Sequence, residues 1–471
     1  MSHEVQPVRS TADALKADYY SSAGVMQAPP AVLAKLAMRE SLTSDSAKLV
    51  LAMVGLPARG KSFISHKLEQ FLNWSGNRTQ IFNAGQKRRR EDSPSAPTMG
   101  RTRSNADFFD ASNKDAGAMR EQIAMNTLDE LLEWFEEDRG EVGIFDATNS
   151  TRTRRQAVVE RCTQAGARVV FIESICDEQA LLDANMLAKV RASPDFKGLS
   201  EDSALDDLRK RIENYERAYD TIADDEGAYI KLYNLSSKVC ANQVFGRMST
   251  RVLPYLTALH IRPRPVYLAA LPPGDGEASL DNTFALKLSA WVRAAADGRP
   301  GGVARLRLLS STQPAAIAAA ETVARGGGVS STTHQSGLNP IDRGARDFGG
   351  SGKLDEAAQA GMSFHERFAG GGESFADLVR RLEPCLLEIE ASMEPVLVLA
   401  HSGPCRALRA YFMGCAVEKV MGKASSPGAC ALANTGHKLV ELVPMVAGGF
   451  SENILDLESG SGEAAGGSTV G

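Results

Sequence analysis

The sequence predicts an α/β protein in which a mostly parallel sheet built around a phosphate loop is followed by a second α/β domain. Three observations carry that expectation. Short apolar runs alternate with amphipathic segments of helical spacing, the pattern of a sheet with helices on both faces. One run, Leu49 to Val54, leads directly into Gly55-Leu56-Pro57-Ala58-Arg59-Gly60-Lys61-Ser62, which spells G-x-x-x-x-G-K-[ST] and is followed by helix-forming residues. Another, Ile144-Phe145, ends in Asp146, an acid at the carboxyl end of a strand.

The strands of the first half are expected at 48–54, 79–83, 142–146, 168–174 and 228–233, with helices near 61–74, 115–138, 151–165, 178–190 and 201–219. Residues 1–45 read as an extension in which 31–42 can form a short amphipathic helix. The stretch from Gln86 to Asn113 is too polar and proline-rich for a core and is expected to be a loop over the site. In the second half, strands are expected at 265–270, 304–309, 396–400 and 430–434, and helices at 280–296, 313–325, 374–392 and 404–414. The Gly/Ser-rich stretches 326–337 and 344–353 and a tail over 446–471 read as flexible. The expected division is 1–45, 46–262, 263–445 and 446–471.

A chain of 471 residues with 43% hydrophobic and 24% charged residues and a formal charge of −5 has ample core and no basic surplus, which argues against nucleic-acid binding. No apolar run approaches the roughly 20 residues that span a bilayer, and no signal-peptide core is evident, so no membrane association is expected. Seven scattered cysteines without a C-x-x-C pair suit a reducing compartment, and the cytoplasm is the expected location.

The chemistry follows from the loop. Its glycines let backbone N–H groups turn onto a polyphosphate, Lys61 reaches the β/γ oxygens, and Ser62 can sit on Mg²⁺. Asp146 is placed to hold the same metal. Its alternative is a helix cap, which Ser150 or Thr151 can supply instead. Thr148 and Arg152 follow at the carboxyl ends of the strands, where ligands of open sheets bind. Arg59, Arg88, Arg89, Arg90, Arg152, Arg154, Arg155 and Arg211 are concentrated in segments expected to face that crevice, and converging guanidinium groups suit a second, phosphorylated substrate.

GLPARGKS, Phe82-Asn83-Ala84-Gly85 with Arg88 and Arg89 behind it, FDATN-x-T-R, Asn185-x-x-x-Lys189-x-x-x-Ser193-Pro194-Asp195 and Arg211-x-x-x-Tyr215-Glu216 occur in this order. Together they resemble the kinase half of the bifunctional 6-phosphofructo-2-kinase/fructose-2,6-bisphosphatases, a resemblance that extends over about residues 47–445. It implies a P-loop kinase domain and a histidine-phosphatase-like domain, with ATP and Mg²⁺ as cofactors and fructose 6-phosphate as acceptor; a homodimer stays open. It assigns Lys61, Asp146 and Lys189 to catalysis, and Gly55, Ala58, Arg59, Gly60, Lys61, Ser62 and Asn185 to ATP. Ser62 and Asp146 fall to the metal, and Arg88, Arg89, Thr148, Arg152, Arg211 and Tyr215 to the sugar phosphate. Many relatives place an arginine after the Phe-Phe pair, whereas Phe108-Phe109 is followed here by Asp110; Arg101 and Arg103 are candidates for that contact.

The resemblance of the second half rests on Gly372-Glu373-Ser374-Phe375-Ala376-Asp377 and on the strand that delivers His401. Phosphatases of that type need a histidine nucleophile directly after the first strand. Here the segment reads Tyr267-Leu268-Ala269-Ala270-Leu271-Pro272-Pro273-Gly274, and no histidine occurs between His260 and His334. Ser310-Ser311-Thr312-Gln313-Pro314 lacks the expected cation, and Asn339-Pro340-Ile341-Asp342 lacks the expected glutamate. The expectation is a kinase without phosphatase activity, against the alternatives of a bifunctional enzyme and a non-catalytic nucleotide-binding scaffold.

Overall fold

The computed structural model describes residues 48–91, 106–109, 113–235, 237–271, 282–297, 305–344, 362–368, 370–422, 438–445 and 449–457. In the first half, β1 (Leu49–Val54), α1 (Lys61–Trp74), β2 (Thr79–Asn83), α2 (Ala84–Glu91), α3 (Lys114–Glu137), β3 (Val142–Asp146), α4 (Arg152–Gln164) and β4 (Arg168–Ile175) follow one another. They continue through α5 (Gln179–Ala192), α6 (Glu201–Glu216), β5 (Tyr229–Tyr233) and β6 (Lys238–Asn242). The sheet order is β2-β3-β1-β4-β5-β6, parallel except for β6. Every residue of the central β1 is buried, which is why it reads as an unbroken apolar run rather than an alternation.

After α7 (Arg247–Ala258) the second sheet is built from β7 (Val266–Ala270), α8 (Asn282–Asp297), β8 (Leu306–Ser310), α9 (Pro314–Arg325) and β9 (Val329–His334). It is completed by α10 (Phe375–Ala391), β10 (Val396–Ala400), α11 (Ser402–Phe412), α12 (Val417–Gly422), β11 (Lys438–Pro444) and β12 (Phe450–Asp456). Its order is β12-β11-β7-β10-β8-β9, with β7, β10, β8 and β9 parallel and β11 and β12 antiparallel. Helix α10 opens with a capping box: Ser374 Oγ accepts from the Asp377 N–H and Asp377 accepts from the Ser374 N–H, each at 3.1 Å.

Four expectations need correcting. Ala84–Glu91 is a helix rather than the start of a loop; among its residues of described burial only Arg88 is buried, which leaves no apolar period to detect. Val329–His334, expected to be flexible, is an edge strand, and its exposed Ser/Thr run owes its place to pairing with β8. Phe450–Asp456, expected within a flexible tail, pairs along its whole length with β11. Strand β6 was not anticipated, because its sequence Lys-Val-Cys-Ala-Asn is polar at both ends. The helix expected at 31–42, the strand expected at 430–434, Arg101 and Arg103 lie outside the described residues.

The outer face of α1 joins the two halves. Trp74 Nε1 donates to the Ala407 carbonyl at 2.8 Å, and Tyr255 of α7 stacks on Phe71 at 4.2 Å while donating to the Lys67 carbonyl at 2.9 Å. The Lys67 ammonium lies 3.0 Å from Glu390 of α10, whose carboxylate also accepts from Tyr411 of α11 at 2.6 Å. Burial pushes the Glu390 carboxyl up, but Lys67, the Tyr411 hydroxyl and Arg264 outweigh it and hold the group below its ordinary range.

Because the folded value is depressed, the stabilisation is present above the ordinary glutamate pKa, about 4.3, and is lost as pH falls below it. Glu390→Ala leaves the half-buried Lys67 charge without its partner and is expected to lower stability by about 2 kcal/mol. Chemical denaturation across pH 3 to 7, roughly spanning that transition, checks both: the variant's deficit should shrink toward acid.

Candidate active site

Gly55 ends β1 where the chain passes so close to β4 that a Cβ would stand 2.6 Å from the Ser174 carbonyl oxygen, and its φ of +139° is open to glycine. Gly60, at φ +84°, then forms the start of α1 without any side-chain cap, so the first N–H groups of the helix are left for a ligand. Ala58 takes a left-handed φ of 60° to complete the loop, and Ser174 Oγ donates to the Arg59 carbonyl to fasten it. A Cβ on Gly60 would meet nothing within 4 Å, so the cradle has room above it.

The Lys61 ammonium is buried and donates to the Leu56 carbonyl at 2.7 Å. Burial, and next the charge of Lys189, push it down to about 7. Ser62 Oγ donates to Asp146 Oδ2 at 2.8 Å, and Asn83 Nδ2 donates to the same oxygen. Asn83 and Asp146 are register partners on β2 and β3, which is how two strand ends bring these groups together. The hydroxyl–carboxylate pair beside the cradle fits a divalent cation bound mainly through a nucleotide's phosphates. Among the described residues no cluster of three or more His, Cys, Asp or Glu side chains offers a protein-only cage.

Across the cleft stand the cations. Arg88 Nη2 and Arg211 Nη1 both donate to Asp195 Oδ2, the latter at 3.1 Å, and Arg89 Nη1 lies 3.8 Å from Oδ1. Arg211 is also paired with Asp207 at 2.6 Å. The guanidinium groups of Arg88 and Arg211 lie over the Phe109 ring at 5.2 and 4.8 Å, and Tyr215 packs on the same ring at 5.8 Å. Lys189 is open to solvent through the cleft, yet desolvation among its neighbours holds its ammonium below the ordinary lysine range.

One cavity of about 2610 Å³ brings together Ala58, Arg59, Gly60, Lys61, Ser62, Arg88, Arg89, Asp146, Thr148, Asn185, Lys189, Arg211 and Tyr215. Gly55 lies beneath it, shaping the loop. Arg152 is not brought there. Its side chain, 56% exposed at the start of α4, pairs with Asp225 on the outside. Arg154, two residues on, faces the cavity instead and is held by Glu121 of α3, with Arg154 Nε donating at 2.6 Å. Arg155 is buried away from the cavity, bound to Glu226 and to the Asn149 and Asp220 carbonyls. Arg120, which donates to the Phe108 carbonyl, also lines the cavity. Helical phase separates Arg152 from Arg154: two residues turn the helix by some 200°.

In the second half, His401 stands at the carboxyl end of β10 with its Nδ1 buried and without a hydrogen-bond partner, and burial lowers its pKa. Beside it, β7 pairs Ala270 with Ala400, and the Leu271 N–H donates to the Ala400 carbonyl at 2.8 Å. The buried Leu271 thus occupies the strand end next to His401. Residues 272–280 lie outside the described residues.

Comparison with known proteins agrees with the two-part architecture. The 6-phosphofructo-2-kinase family model matches residues 38–263, and the histidine phosphatase superfamily (branch 1) model matches 289–435, beginning beyond β7. The chain is 32% identical over 394 residues to the 6-phosphofructo-2-kinase/fructose-2,6-bisphosphatase of Aquarana catesbeiana, covering 79% of each chain. It is 32% identical over 378 residues to that of Caenorhabditis elegans (77% of this chain, 81% of the relative). To 6-phosphofructo-2-kinase/fructose-2,6-bisphosphatase 1 of Rattus norvegicus it is 33% identical over 380 residues (77% of each). With a phosphate loop, an acid at the neighbouring strand end and an arginine cluster on one cavity, and with relatives of this identity over most of its length, the chain belongs to the 6-phosphofructo-2-kinase/fructose-2,6-bisphosphatase family and carries its kinase.

Proposed function

We propose that this protein transfers the γ-phosphoryl group of ATP to the 2-hydroxyl of fructose 6-phosphate and does not hydrolyse the fructose 2,6-bisphosphate it makes. The observation that carries the kinase reading is the single cavity on which the phosphate loop and the Arg88, Arg211 and Tyr215 group face one another. The loop N–H groups and Lys61 would take the triphosphate, and Lys189 would meet charge developing on the transferred group. Ser62 and Asp146 would hold Mg²⁺, which supplies further neutralisation of phosphate charge. The arginines would fix the 6-phosphate and so present the 2-hydroxyl. Phosphoryl transfer of this kind is largely dissociative, so positioning and charge neutralisation carry it without a strong base.

The absence of phosphatase activity is proposed on the strand end beside His401. A phosphohistidine intermediate needs an imidazole there, and the residue present is Leu271, followed by Pro272 and Pro273. His401 keeps a buried nitrogen without a partner, and with no second imidazole at the neighbouring strand end it is read as a residual strand-end group. The second half would then serve as the support on which α1 rests. A division at 46–262 and 263–445 and a cytoplasmic location are part of this reading.

Incubation of pure protein with Mg·ATP and fructose 6-phosphate should yield an acid-labile bisphosphate; no such product would overturn the kinase reading. Lys61→Ala should keep the fold and cost about 10²-fold or more in kcat, since it removes a donor to the transferring group. Arg154→Ala should raise the KM for fructose 6-phosphate about 10-fold, the scale of one charged hydrogen bond. Arg152→Ala should leave that constant within about twofold, as an exposed ion pair contributes little. Fructose 2,6-bisphosphate given to the protein should release no inorganic phosphate above background. Steady release abolished by His401→Ala would restore the bifunctional reading.

A further inference from the structure

We infer that Asp195 is a positioning residue that assembles the guanidinium site for the 6-phosphate, an inference that rests on the proposed sugar-phosphate acceptor. Asp195 lies on the single 3-10 turn Pro194–Phe196 between α5 and α6, with Ser193 Oγ accepting from its N–H at 3.3 Å. Its side chain is 8% exposed and does not open broadly to the cleft. One oxygen, Oδ2, accepts from both Arg88 and Arg211, which come from the separate helices α2 and α6.

Two guanidinium groups of like charge do not settle over one aromatic ring unaided. Phe109 gives both a face, and Phe196, next to Asp195, gives Arg211 a second at 4.8 Å. The charge that holds them together is Asp195, with Arg89 on its other oxygen at 3.8 Å. Burial pushes the Asp195 carboxyl up, but Arg88 and then Arg211 overcome it and keep the group ionised below its ordinary range. Arg88 still keeps a buried Nε–H donor without a partner, so the cluster retains hydrogen-bonding capacity that the carboxylate does not use. A phosphate dianion entering the cleft has the charge and the acceptors to take it up. Asp195 thereby acts through the arginines: it sets their spacing before the substrate arrives and lowers the cost of gathering them on binding.

The test is steady-state kinetics of Asp195→Asn, which keeps the shape and removes the charge. The KM for fructose 6-phosphate should rise about 10-fold, the scale of one charge-assisted contact, while kcat and the KM for Mg·ATP stay within about twofold. Asp195→Glu, which restores the charge, should fall between the two. An unchanged or lower KM for the sugar phosphate overturns the inference, as does a parallel loss in kcat and in both KM values. Where Asp195→Asn fails to reach the thermal midpoint of the wild type, Asp195→Glu decides: a sugar-phosphate KM raised in that variant as far as in Asp195→Asn, despite the restored charge, also overturns it. Wild-type protein separates the two levels. Without turnover of fructose 6-phosphate by the wild type, the proposed substrate falls and this role with it; with turnover and an unshifted Asn variant, only the role of Asp195 falls.

Discussion

Helix α1 has to leave its N-terminus unsatisfied, and much of the molecule follows from that constraint. A helix start whose first N–H groups meet neither side chain nor backbone is a cost unless an anion completes it. The helix is secured elsewhere instead. Its inner face buries Ile64, Leu68 and Leu72, its last turn ties into β2 through Asn73, and its outer face is locked by Lys67 and Trp74 to the second half. The loop can therefore stay open toward a polyphosphate while the helix behind it does not move to close the gap.

The same arrangement gives the second half a role that needs no catalysis. Glu390, Tyr411 and the Ala407 carbonyl form a polar seat, and each group in it has a partner on α1 or α7. A buried ion pair of this kind contributes little net stability over an apolar contact, but removing either half of it is expensive. Such a seat preserves the histidine-phosphatase-like scaffold whether or not that scaffold still hydrolyses anything.

The cations of the first half sort by which acid holds them. Arg155 is consumed by Glu226 and backbone carbonyls and braces the turn after β3; Arg152 and Asp225 form an outer pair. Arg154 meets Glu121 at the cavity wall, and Arg88 and Arg211 converge on Asp195. Adjacent arginines in one stretch of sequence thus take structural, solvent and cavity positions, and the distribution is set by helical phase and by acids that come from distant segments.

What the sequence determined by itself was whatever is written in local spacing. The phosphate loop, the strand ending in Asp146 and the continuous apolar strands each carry their signal within a few residues, because backbone geometry and burial on both faces impose it there. Strand Val396–Ala400 was legible for the same reason. Tertiary structure alone decided the rest. The polar helix Ala84–Glu91 and the edge strands Val329–His334 and Phe450–Asp456 have no apolar period of their own and exist through pairing or through one buried arginine. The pairing of Arg154 with Glu121 joins charges 33 residues apart in the chain, and the meeting of Arg88 with Arg211 on Asp195 joins charges 107 and 16 residues apart. No local pattern encodes such a meeting, because the energy that fixes it appears only when those segments are already folded against one another.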